Sequence, residues 1–231
     1  MPAWMEKFIT REDVSPDPRR SSGERPAVDV HYTALHGGHK RILGMQGDTE
    51  PRWVSVLGAW GSKVKVTRGA GGDDGKKDQG TKLAVIDFHN LTLHPHIELD
   101  RPDYGVTKVS LMDGQFDASE CSDGALGILR RKETGSAYNG AATWEMRTFD
   151  PSLDAAAAAA ASELIVSASI DAGQLNGVIS IWRAGLSEEA IEQLVLVAVS
   201  QIEYIKFITR ISQRSAVMGG GRATWMVAQA L

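Results

Sequence analysis

The chain has 231 residues, of which 42% are hydrophobic and 23% charged, the composition of an ordinary soluble globular protein of one large domain or two small ones. Its net charge of -4 at pH 7 leaves no excess of cations to displace counterions from phosphate, which argues against general nucleic-acid binding. Cys121 is the single cysteine, so no intramolecular disulfide can form and a reducing, intracellular and cytoplasmic setting is expected.

Residues 1–25 hold three of the eight prolines, together with charges and serines, and read as a mobile N-terminal tail. They contain no apolar run long enough for a signal peptide. From Ala27 the texture changes to short apolar–polar alternation broken by turns. Val28, Val30 and Tyr32 alternate with Asp29, His31 and Thr33. Ile42 to Met45 and Trp53 to Leu57 follow as strands. Lys63 to Thr67 is a half-buried strand with Val64 and Val66 inward and both lysines outward. Gly69–Gly80 reads as a long flexible turn; without a strand before it and a helix after it, its glycines are no phosphate loop.

Leu83 to Phe88 reads as a buried strand and Leu91 to Leu99 as its partner. Val106 to Met112 ends at Asp113-Gly114, a hairpin pair. Ala125 to Arg130 and Ala142 to Phe149 are the next two strands. The alanine run 155–161 has helix propensity but no apolar face to bury, and is read as an inserted loop that can be briefly helical. Leu164 to Ile170 and Val178 to Trp182 form a hairpin just ahead of the one long helical pattern.

That pattern runs from Ser187 to Arg210. Ser187 is a good N-cap, Glu188 and Glu189 suit the positive end of the helix dipole, and Leu186 with Ile191 can form a hydrophobic staple. The helix is apolar nearly all round, with Leu194, Val195, Val197, Ala198, Ile202, Ile205 and Ile208 as its expected core residues. Glu192, Gln193, Ser200 and Glu203 share one narrow strip, expected to meet solvent or an end of whatever encloses the helix. Two carboxylates in lipid would cost several kcal/mol, so a core helix is favoured over a membrane helix. About eleven short strands followed by one apolar helix predict a closed antiparallel β-barrel of about 11–12 strands around a central helix at 187–210. The barrel domain is expected over 26–213, with a C-terminal tail at 214–231.

Trp53, the Gly58–Trp60 turn, Leu83-Ala84-Val85-Ile86-Asp87, Tyr138-Asn139-Gly140 leading to Trp144-Glu145, and Leu194 to Val199 with Glu203 and Tyr204 together carry a resemblance. In that order they resemble the tubby C-terminal domain, whose plan phospholipid scramblases and the plant LURP-one proteins share. The likeness is nearest to an uncharacterised fungal branch of that superfamily and covers roughly residues 28–212. It implies a barrel around one hydrophobic helix and a function of binding rather than catalysis. The ligand it implies is a phospholipid headgroup or a protein partner, with peripheral membrane contact if any. A scramblase's lipidated cysteines and acidic calcium loop have no counterpart here, and scrambling is not carried over.

Among the residues that carry chemistry, His89, His94 and His96 beside Asp87 are the candidate zinc ligands of a metal-dependent enzyme. Their spacing is loose and Pro95 interrupts it, so exposed strand and turn histidines, with no bound metal or other cofactor, are expected. No Gly-x-Ser-x-Gly elbow marks a nucleophile. Lys63 and Lys65 with Arg130, Arg131 and Lys132 would make a phosphate-binding patch if their strands lie together. A third reading is a membrane-inserted, scramblase-like protein anchored by the long helix.

Overall fold

The computed structural model describes residues 18–35, 39–48, 50–58, 63–69, 80–89, 96–102, 105–110, 114–118, 126–136 and 141–217. Among these residues the strands are β1 (Val28–Leu35), β2 (Lys40–Met45), β3 (Trp53–Leu57), β4 (Lys63–Arg68), β5 (Thr81–His89) and β6 (His96–Arg101). They continue as β7 (Gly105–Ser110), β8 (Gln115–Asp117), β9 (Ile128–Ser136), β10 (Ala142–Thr148), β11 (Leu164–Ile170) and β12 (Asn176–Ile181). Helices α1 (Pro18–Ser21), α2 (Ala155–Ala161) and α3 (Glu188–Val217) complete the described elements.

Every strand pairs antiparallel with its neighbours in sequence, and β1 pairs with β12 from Val28↔Ile181 to Thr33↔Asn176, so the sheet is a closed barrel. Alternation sets which side faces in. On β4, Val64 and Val66 are buried while Lys63 and Lys65 are exposed, as period-two patterning requires. Gly114 and Gly177 are among the glycines demanded by close approach. At Gly114, where φ is 67°, a Cβ would stand 3.0 Å from the Cβ of Arg131, and at Gly177 it would stand 2.6 Å from the carbonyl oxygen of Ser169.

α3 fills the barrel. Its start is the predicted one: the Ala190 amide donates to Ser187 Oγ at 3.2 Å. Leu194, Val195, Val197, Ala198 and Ile202 are buried in the same core as Val30, Leu43, Ile86, Leu99 and Trp144 of the wall. Ile205 is half-buried against that core, and the side chain of Ile208 lies outside the described residues. Trp53, Leu83, Ala84 and Ile86, which carry the resemblance, are core residues too; Trp60 and 138–140 lie outside the described residues.

Several expectations change. The predicted strands miss β8, which has three residues and one buried side chain, Phe116, too few to show an alternation. β9 lies at Ile128–Ser136 rather than 125–130. Its sequence is polar because Arg131 faces inward with Leu129, and inward charges break the pattern that reading relies on. α3 runs on to Val217, seven residues past the predicted end. The alanine run is a helix, started by Asp154, whose carboxylate accepts from the amides of Ala156 and Ala157. The described part of the N-terminal segment is anchored rather than loose: Arg19 pairs with Glu145 at 2.6 Å, and Arg20 pairs with Asp29 of β1.

Candidate functional site

The polar strip of α3 meets the barrel wall, not solvent. Glu192, Gln193, Ser200 and Glu203 are all buried. Near the start of the helix Glu192 accepts from Trp53 Nε1 at 3.0 Å and from Arg68 Nε and Nη2 at 3.0 and 2.7 Å. Further along, fully buried Arg41 of β2 pairs with Glu203 at 2.7 Å. The Tyr32 hydroxyl donates to Glu203 at 3.1 Å and accepts from Arg41 Nε at 3.1 Å and Lys206 Nζ at 2.6 Å. Burial first, and the Glu203 charge second, push the Tyr32 phenol far above its ordinary range, with Arg41 opposing, so it stays protonated. Lys206 also donates to the carbonyl of Gln174, a non-glycine residue held at φ 54° in the β11–β12 turn. These groups fasten helix to wall.

Two outer faces gather chemistry. On the first, β4 to β7 carry a row of charge in register, two carboxylates flanked by two lysines: Lys63↔Asp87, Asp87↔Glu98 and Glu98↔Lys108. Lys63 stands 2.6 Å from Asp87 and Lys108 3.4 Å from Glu98. In the next row His89 and His96 are directly opposite each other, their rings stacked at 4.9 Å with 12° between planes. Glu98 bridges them: Oε1 lies 3.2 Å from His96 Nε2 and Oε2 lies 3.2 Å from His89 Nε2. The hydrogen bond from His96 holds the Glu98 carboxyl below its ordinary range, against its partial burial and with help from Lys108 and His89. Thus two of the three sequence-predicted histidines come together. His94 lies outside the described residues, and Asp87 stands off at 3.8 Å from His89 Nε2. Glu98 is the residue that sequence reasoning missed. Its signal is the spacing of two from His96, which places both on one face of a strand.

The second face is on β9 and β10. Arg130 pairs in register with Arg147, and Lys132 with Glu145. Arg19 reaches the same place from α1, and Glu145 accepts from Arg19 at 2.6 Å and Arg147 at 2.8 Å. Two cations, Arg19 and Arg147, therefore contact the Glu145 carboxylate, and Arg130 and Lys132 stand on the neighbouring strand. Arg130 lies over the Phe149 ring at 5.0 Å and Arg19 over Trp182 at 5.0 Å, which fixes both guanidinium groups against the wall. The hydrogen bonds from Arg19 and Arg147 outweigh burial, which acts the other way, and hold the Glu145 carboxyl below its ordinary range. The predicted five-residue phosphate patch does not form. β4, with Lys63 and Lys65, and β9 stand five places apart in a ring of twelve strands. Arg131 faces inward, where burial disfavours its charge and Glu133 offsets that. Arg130 and Lys132 remain outside, joined by Arg19 and Arg147 that the sequence did not single out.

No known protein family, curated protein or solved structure matches this chain.

Proposed function

We propose that the chain is a non-enzymatic binding module on the tubby-like plan, which takes an anionic group on the outer face of β9 and β10. The ligand in this reading is a phospholipid headgroup, with an acidic segment of a protein partner as the other source of the same charge. The observation that carries it is the gathering of Arg19, Arg130, Lys132 and Arg147 on one outer face, with Arg19 and Arg147 both on Glu145. A rigid wall holds those cations in place at little entropic cost. The filled barrel supports the same reading, because α3 occupies the space where an enclosed ligand would sit. Among the described residues no helix is long and apolar enough to cross a membrane, which favours peripheral over inserted contact. The proposed setting is intracellular, at the surface of a membrane or in the cytoplasm.

Each cation near an anionic membrane surface contributes about 1 kcal/mol, and the attraction fades beyond a Debye length. Flotation with vesicles of phosphatidylserine and phosphatidylcholine, against phosphatidylcholine alone, tests this. The chain should float with the anionic vesicles in low salt and stay behind in high salt. Arg130→Glu with Lys132→Glu should abolish flotation, while Lys63→Glu should not. Equal recovery with neutral vesicles, or undiminished flotation of the double variant, would remove the headgroup reading.

A further inference from the structure

We infer that His89, His96 and Glu98 form a binding site for one divalent transition-metal ion, zinc by its chemistry, on the outer face of β5 and β6. This goes beyond the binding reading above and stands on a different face of the barrel. Two imidazoles and one carboxylate are the mixed nitrogen and oxygen donor set that zinc accepts, leaving a fourth position for water. The three groups each offer a ligand atom, and those atoms all lie within 4.8 Å of one another. Bonds of about 2.0–2.2 Å in a tetrahedral site put neighbouring ligand atoms roughly 3.3–3.5 Å apart. Each histidine Nε2 lies 3.2 Å from the Glu98 carboxylate, His96 on Oε1 and His89 on Oε2, so a small carboxylate rotation brings one oxygen to about that spacing from both.

The wall also fixes the ligands from below. His89 and His96 are cross-strand partners in direct register, so their Cα positions are set by the β5–β6 ladder rather than by a loop. Glu98 is two residues along the same strand and on the same face as His96. The stacked rings turn both Nε2 atoms toward one carboxylate. A hydrogen bond joins His96 to Glu98, and His89 Nε2 lies at ion-pair distance from the other Glu98 oxygen; an ion would replace the shared proton and join all three. Lys108 and Lys63 are the cations that oppose binding, but their side chains are 63% and 64% exposed and can swing into solvent. The expected consequence is a staple between β5 and β6.

Sequence spacing points to His94, across Pro95, as the third ligand, and on that spacing no bound metal is expected. Register supplies Glu98 in its place. The test uses the full chain, tag-free, stripped with a chelator and dialysed. Zinc is titrated calorimetrically, and cobalt is titrated as a probe whose visible absorption reports the ligand geometry. One ion per chain is expected, with zinc raising the melting temperature. His96→Ala and Glu98→Gln should each weaken binding by at least about tenfold, the lower bound set by the loss of a mere outer partner of a ligand. His31→Ala, exposed on β1, should leave it unchanged. Binding well below one ion per chain, or full affinity in Glu98→Gln, would overturn the site. Glu98→Gln keeps the side-chain volume, so that variant decides the question even if His96→Ala does not fold.

Discussion

Glu203 is a single carboxylate shared by Arg41, Tyr32 and, through the phenol, Lys206. Removing it leaves one guanidinium and one ammonium buried without their anion. Breaking a buried pair from one side costs about 3–5 kcal/mol, whereas replacing both partners with apolar groups of similar volume costs far less. Glu203→Gln should therefore lower the free energy of unfolding in urea by that amount, and Arg41→Met, Lys206→Met and Glu203→Leu together should recover much of it. A single variant that melts with the parent would mean that the link does not hold the helix in place. Glu145 tests the outer face in a different way. Its folded-state pKa is depressed, so it stabilises the fold above its ordinary value of 4.5, and that stability drains away as pH falls through the lower folded value. Glu145→Gln should be less stable than the parent at neutral pH and should converge on it below pH 4.5. Acid titrations followed by circular dichroism would show whether the two curves meet.

Among the elements, α3 carries the sharpest consequence. Val197 is fully buried in the N-terminal half of the helix, in one core with the wall side chains. Val197→Asp puts a lone charge there with no partner, at a cost of several kcal/mol. The variant should express poorly or melt far below the parent, and parental melting would refute a helix enclosed by strands. The elements that could be read from sequence are those set off from their flanks by a dense apolar run. β3 and β11 fall on the residues predicted, because apolar side chains crowd those short stretches between clear turns. β8 and β9 resisted for opposite reasons, one too short and the other carrying charge inward. The same limit applies to sites. Arg130 and Lys132 are visible as a basic run, but their association with Arg19 and Arg147 depends on which strands are neighbours. Glu98 is joined to His89 by register, and register is a property of two strands together.

For the whole molecule, the order of elements in the chain is the order of strands around the wall, so nearly every pairing is between neighbours in sequence. Such pairings close short loops and can form early. The exceptions are the β1–β12 seam and the seating of α3, both of which link the two ends of the described chain. During translation the N-terminal strands leave the ribosome first, and α3 follows all twelve of them. Until it appears, the growing sheet shows a bare apolar concave face and an unpaired edge at β1, the two features that most invite association with other nascent chains. The enclosed helix is thus a late-arriving plug, and the interval before it arrives is when this protein would most need a chaperone.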